Sequence, residues 1–280
     1  MSAVLASRCG TDQARGLGAL SRACLCAEVE THPKPGLVSH RGRGSHRDMD
    51  ADLLRRSAGV LEPFFAALAV AGGRGAGMAE LRRIGLVAEA AMLAATAGVN
   101  THRGAIFGLG LLCAAAGWRA AGGEDGCLGP LVSARWGAEI ASAPENTGSH
   151  GASARQRFHV GGARAEAALG FPSAYGIGLP ALRAARSLAP GNAEAARVQA
   201  CMALIAVLED TNLLHRGGAE GLAFAQSAAA GFLSMGGVGQ LGWREAAETV
   251  HRGFVARNLS PGGAADLLAI TLFLDAVEGE

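Results

Sequence analysis

At 280 residues and a formal net charge of +1, the chain is long enough to bury a substantial core, yet it exerts no bulk field toward nucleic acid or membrane. Any anion has to be met by local clusters. Half of the residues are hydrophobic but only 5% are aromatic, and the apolar mass is mostly Ala and Leu, helix formers rather than strand formers. These features predict an all-α protein, a single globular multi-helix bundle of about ten helices over residues 1–280. The six cysteines include no CxxC pair and sit among apolar residues, the pattern of reduced, buried thiols in a cytoplasmic protein. Residues 1–12 lack the basic start and apolar run of a secretory peptide, and the longest apolar run, 104–118, falls short of the roughly 20 residues a bilayer requires.

Apolar residues recur at helical spacing in segment after segment, and no stretch alternates with period two. The first helix is expected near 17–30. The next, 51–71, carries Leu53, Leu54, Val60, Leu61, Phe64, Phe65 and Leu68 on one broad stripe, with Pro63 expected to kink it. Further helices are expected at 78–97, 104–117, 128–142, 162–169, 175–188, 193–208, 218–235, 243–258 and 264–277. The 104–117 segment is apolar nearly all round, which in a soluble protein means a buried central helix, and its small residues permit close packing.

Five polar islands interrupt this apolar chain. Residues 31–50 form a loop in which two prolines deny the backbone a helix, glycines allow close approach, and Lys34, Arg41, Arg43 and Arg47 stand beside Asp48 and Asp50. That mixture suits an anionic ligand carried with a metal ion; a solvated connection is the plain alternative. At 99–104, Asn100 or Thr101 is positioned to cap the central helix, and Arg103 beside an open helix N-terminus suits phosphate. At 161–166 Arg164 and Glu166 stand two residues apart, an internal ion pair being the plain alternative. Glu209 and Asp210 end the 193–208 helix at the unfavourable end of its dipole, so a divalent cation is expected to compensate them. Ser260-Pro261 reads as N-cap and first position of the last helix.

Taken together, Pro33-Lys34-Pro35-Gly36-Leu37-Val38, Ser45-His46-Arg47-Asp48-Met49-Asp50, Val99-Asn100-Thr101-His102-Arg103-Gly104-Ala105-Ile106-Phe107, Gly162-Ala163-Arg164-Ala165-Glu166-Ala167, Asp210-Thr211-Asn212 with Arg216-Gly217-Gly218, and Ser260-Pro261-Gly262-Gly263 with Ala265-Asp266-Leu267-Leu268-Ala269 resemble the triphosphoribosyl-dephospho-coenzyme A synthase family. The motifs come in family order and span about 17–276; Ala165 stands where glycine is common. The resemblance implies a pentosyltransferase that joins ATP and 3′-dephospho-coenzyme A into 2′-(5″-triphosphoribosyl)-3′-dephospho-coenzyme A and releases adenine. It also implies downstream partners, a phosphoribosyl-dephospho-coenzyme A transferase and an acyl-carrier subunit, and admits a homodimer. The Thr101-His102-Arg103-Gly104-Ala105 stretch and the standalone chain look more like the branch serving malonate decarboxylase than the one serving citrate lyase.

Breaking the ribose C1–N9 bond builds positive charge on the sugar, so a carboxylate is needed nearby, together with a base for the acceptor hydroxyl and an acid for adenine. For these tasks the implied residues are Asp48, His46, His102, Glu166 and Asp210, with Mg²⁺ entering as Mg-ATP at Asp48, Asp50, Glu209 and Asp210. The implied nucleotide contacts are Lys34, Gly36, Arg43, Arg47, Asn100, Arg103, Arg164, Asn212, Arg216, Gly262 and Gly263. Lys34→Ala is expected to weaken ATP binding more than it disturbs folding. Two rival readings are an all-helical Mg²⁺-dependent glycohydrolase of ADP-ribose linkages and a non-catalytic nucleotide-binding protein.

Overall fold

The computed structural model describes residues 10–143, 158 and 160–279. The Ala- and Leu-rich periodicity becomes helix nearly throughout: α1 (Thr11–Val29), α2 (Ala51–Gly73), α3 (Met78–Ala95), α4 (Arg103–Ala120), α5 (Leu128–Ser142), α6 (Gly162–Ala168), α7 (Leu179–Leu188), α8 (Ala193–Val207), α9 (Thr211–Ser234), α10 (Trp243–Ala256) and α11 (Gly262–Glu278). A π-helical turn, Ala174–Gly178, leads into α7, and a 3-10 turn, Gly237–Gly239, separates α9 from α10. Among the described residues there is no β-strand, only an isolated bridge between Ser39 and Gly42, and no helix is long and apolar enough to cross a membrane. The protein is all-α, as its composition predicts.

The 104–117 segment is the central helix. Apart from Phe107, every α4 residue from Ala105 to Gly117 is buried, because α4 packs against α2 on one side and meets α3, α5 and α11 on others. Its small residues decide how close α2 comes. A Cβ on Gly117 would fall 1.9 Å from the Ala69 carbonyl oxygen of α2, and a Cβ on Gly72 of α2 would fall 1.9 Å from the Ala114 carbonyl oxygen of α4. The two backbones therefore touch at a reciprocal pair of glycines, which only a missing side chain permits. Leu61, Phe65 and Leu68 of α2 and Leu109 and Leu112 of α4 belong to the same apolar cluster, each side chain contributing on the order of 1.5–3 kcal/mol by leaving water.

Several boundaries differ from the expectations, each for a local reason. Pro63 lies inside α2 without ending it, and Asp50 caps that helix by accepting from the Leu53 amide at 3.1 Å. Asp210 does not close the preceding helix; it is the N-cap of α9, accepting from the amides of Asn212 at 2.8 Å and Leu213 at 3.3 Å. Its carboxylate thus faces the favourable end of a dipole, removing the argument for a compensating cation there. The expected start at Gly218 is instead a break within α9, where φ 61° and ψ −160° suit glycine alone. Ser260 caps nothing, since its hydroxyl bonds His46. Of the cysteines, Cys24, Cys113 and Cys201 are buried, whereas Cys127, at the N-cap of α5, is exposed.

Candidate active site

One cleft of about 1170 Å³ runs between α1, α3, α4, α6 and the starts of α9 and α11. Its floor is built by helix N-termini. Asp210, 4% exposed, accepts not only from the first turn of α9 but also from the Ala264 amide of α11 at 3.0 Å, so one carboxylate caps two helices. Gly262 and Gly263 make this possible: a Cβ on Gly263 would lie 2.9 Å from the Asp210 carboxylate, and one on Gly262 would lie 2.6 Å from Asn212 Nδ2. Burial pushes the Asp210 carboxyl above its ordinary range, while the backbone amides oppose that shift.

The N-terminus of α4 supplies a second carboxylate position. Asp266 of α11 accepts from the Ala105 amide, and Gly104 leaves the room, since a Cβ there would sit 2.0 Å from Asp266 Oδ2. Burial, then the neighbouring Glu28 and Asp210, push the Asp266 carboxyl up to about 8. Asn100 accepts from the Arg103 amide at 3.2 Å, completing the start of α4. Glu28, at the last turn of α1, is a third buried carboxylate on this floor and is ion-paired with Lys34.

The two histidines of the cleft are held neutral. His102 is 5% exposed; Thr101 donates to the Ser57 hydroxyl at 2.7 Å, and Ser57 Oγ and His102 Nδ1 share a hydrogen bond of 2.7 Å. The His102 Nε2 is a buried atom with no hydrogen-bond partner. Burial, reinforced by the Lys34 charge, lowers the His102 pKa to about 4. His46 bonds Ser260 Oγ through Nε2 at 2.8 Å, and its Nδ1 accepts from Arg216 at 3.3 Å. Burial and then the Arg216 charge lower its pKa, with Asp48 at 3.7 Å opposing.

The remaining expected contacts divide sharply. Asn100, Arg103, Arg164, Glu166, Glu209, Asn212, Arg216, Gly262 and Gly263 line the cleft with His46, His102 and Asp210. Several of these already hold protein groups. Arg164 donates to the Ile140 and Ala143 carbonyls at the end of α5, at 2.7 and 2.5 Å, and Glu166 accepts from the Ser173 amide and hydroxyl rather than pairing with Arg164. Arg103 pairs with Glu89, and Arg216 donates to the Ser45 carbonyl at 3.0 Å.

Lys34, Gly36, Arg43, Arg47, Asp48 and Asp50 do not line the cleft. Lys34 is 1% exposed, its ammonium donating to the Glu28 carboxylate and, at 2.8 Å, to the Glu28 carbonyl. Gly36, at φ +65°, passes against the Leu259 carbonyl, which a Cβ would approach to 2.0 Å. Arg43 pairs with Asp50 at 2.9 Å, Asp48 is exposed, and Arg47 faces a separate hollow beside Val255 and Asn258. From the 31–50 loop the cleft takes Leu37, Val38, His46 and Met49. The expected metal quartet Asp48, Asp50, Glu209 and Asp210 does not converge, and among the described residues no three His, Cys, Asp or Glu side chains are arranged to hold a metal. Glu28 and Asp266 are the floor carboxylates that motif reading passes over. Asp266 leaves a signal all the same, as a lone charge between Ala264-Ala265 and Leu267-Leu268.

The chain is a helical bundle around a cleft floored by carboxyl groups, and its family match makes it an all-helical transferase. It belongs to the CitG family, ATP:dephospho-CoA triphosphoribosyl transferase, whose model matches residues 14–280. A probable 2-(5''-triphosphoribosyl)-3'-dephosphocoenzyme-A synthase of Azotobacter vinelandii is 44% identical over 292 residues, covering 99% of this chain and 97% of its own. A probable synthase of the same name from Stutzerimonas stutzeri is 42% identical over 280 residues, covering 98% and 96%. The 2-(5''-triphosphoribosyl)-3'-dephosphocoenzyme-A synthase of Klebsiella pneumoniae is 41% identical over 261 residues, covering 92% of each chain. No solved structure matches the chain.

Proposed function

We propose that the protein transfers the 5-triphosphoribosyl group of ATP to the ribose 2′-hydroxyl of 3′-dephospho-coenzyme A, releasing adenine and keeping the triphosphate intact, with the whole chain acting as one domain. The observation that carries this reading is Asp210, fixed on a floor it shares with the Glu28 and Asp266 carboxyls, inside a cleft large enough for two nucleotides. Cleaving the C1–N9 bond turns the ribosyl ring into an oxocarbenium-like cation, and anionic side chains fixed beforehand by backbone amides favour that charge without reorganising. Asp210, held by four amides from two helices, is fixed in this sense. The transferred carbon gains the acceptor oxygen as it loses N9, and the hydroxyl proton balances the one that adenine takes away.

Arg82, Arg103, Arg164 and Arg216 on the cleft wall are the groups to which we assign the phosphates. Among the described residues these four face seven carboxyl side chains, so bare ATP is poorly matched and Mg²⁺ is taken to arrive on the ATP phosphates as part of the substrate. We assign the product to malonate decarboxylase rather than citrate lyase on the Thr101-His102-Arg103-Gly104-Ala105 stretch; a phosphoribosyl-dephospho-coenzyme A transferase then receives it for attachment to the acyl-carrier subunit, in the cytoplasm. Mass spectrometry of each candidate carrier protein, incubated with the enzyme, ATP, dephospho-coenzyme A and the partner transferase, tests this. Modification of the malonate decarboxylase carrier is the expected result, and modification of the citrate lyase carrier alone overturns the branch assignment. Ribose triphosphate released without any coenzyme product would instead identify a hydrolase.

A further inference from the structure

The reaction proposed above needs a proton for the departing purine, and neither cleft histidine is placed to give one. Burial, with Arg216 3.3 Å from His46 Nδ1, lowers the His46 pKa, and burial lowers that of His102 to about 4, so neither ring carries a second proton to give. The proton-bearing carboxyl of the floor is elsewhere. We infer that Asp266 is the general acid of the site, delivering its carboxyl proton to N7 of adenine as the C1–N9 bond breaks. This rests on the transferase reading and deepens it.

The geometry supports the assignment independently of titration. Asp266 lines the cleft and keeps part of its surface open, whereas Glu28 is tied to Lys34 and Asp210 is 4% exposed and occupied in capping two helices. Gly104 is the device that admits it, because any side chain there would displace the Asp266 carboxylate. His102 lines the same cleft, and its buried Nε2 has no hydrogen-bond partner. The charged groups that act on Asp266 are Glu28 of α1 and Asp210 before α9; Lys34 of the loop is paired with Glu28, and Arg103, one residue before Gly104, is paired with Glu89. Both charges acting on it are negative, so burial and repulsion together disfavour a third negative charge, and the carboxyl, pushed up to about 8, keeps its proton at neutral pH.

In the step itself, the C1–N9 bonding pair passes to the purine while the Asp266 O–H proton moves to N7, so adenine leaves neutral. The acceptor's 2′-hydroxyl proton is released on attack and restores the Asp266 carboxyl through solvent, leaving the enzyme unchanged. The test compares ATP with 7-methyl-ATP, whose purine already carries the positive charge and departs neutral without a proton. For Asp266→Asn we expect adenine release from ATP to fall on the order of 100-fold or more, while turnover of 7-methyl-ATP stays within about tenfold of the wild type. Equal losses with both substrates overturn the inference and leave the transferase reading intact. Wild-type enzyme releasing a free base from neither substrate overturns the transferase reading and the inference with it. A second measurement needs no variant: the wild-type kcat/KM for ATP should decline above about pH 8 while that for 7-methyl-ATP does not, and parallel profiles overturn the inference.

Discussion

Lys34 reaches back six residues to Glu28 and closes a buried ion pair under the cleft. Removing one partner of such a pair leaves an uncompensated buried charge, a loss of about 3–5 kcal/mol. Lys34→Ala should therefore lower the melting temperature by roughly 6–20 °C, at 2–4 °C per kcal/mol; an unchanged melting temperature with weakened ATP binding would restore the phosphate role that the sequence alone favours. Asp266 makes a pH-dependent prediction. Its folded-state value of about 8 lies above the unfolded value of about 3.9, so its contribution to stability is complete below about pH 4 and is lost as pH rises through about 8. Asp266→Asn cannot ionise, so its melting temperature relative to wild type should rise between pH 6 and pH 9; a constant difference would contradict the raised value. Motif reading finds the charged residues but not their directions. Lys34 looks like a surface cation because its partner lies on the preceding helix, and Asp48 looks catalytic because the chain does not reveal that it faces solvent.

Helices were the legible level. Eleven segments with helical apolar spacing correspond to the eleven helices delimited among the described residues, since each buries a stripe that its own sequence displays. Ends were less legible, and the start of α9 shows why. Thr211 to Gly218 contains Asn212, His215 and two glycines, all weak helix formers, and it is helical because Asp210 caps it and tertiary packing covers it. The contact between α2 and α4 carries its own prediction. Gly117→Ala or Gly72→Ala forces a methyl onto a carbonyl oxygen at under 2 Å, so the two helices must separate, at an expected cost of about 1–3 kcal/mol or more. The midpoint of urea unfolding reads this loss, and a variant as stable as wild type would mean that the helices do not meet there. Gly104→Ala makes the same move inside the cleft and should lower turnover more than stability, because it displaces Asp266 rather than a helix.

At the scale of the whole molecule, residues from six separate regions of the chain meet in one cleft, and that convergence could be anticipated only through family resemblance. The cation-rich loop of residues 31–50 contributes His46 and apolar contacts, not the phosphate-binding wall its composition announces. With carboxylates outnumbering arginines around the cleft, ATP affinity should depend steeply on a divalent cation: titration calorimetry in EDTA should show ATP binding lost and then restored by Mg²⁺, and EDTA-insensitive binding would contradict the charge argument. The central claim is that one cleft breaks the purine bond and forms the coenzyme bond without touching the triphosphate. Incubating the enzyme with dephospho-coenzyme A and ATP labelled both at the γ-phosphate and in the purine ring measures this directly. The account predicts purine label in free adenine and an equimolar amount of γ-phosphate label in the coenzyme product. Free labelled phosphate or pyrophosphate, or purine label retained in the coenzyme product, would contradict it.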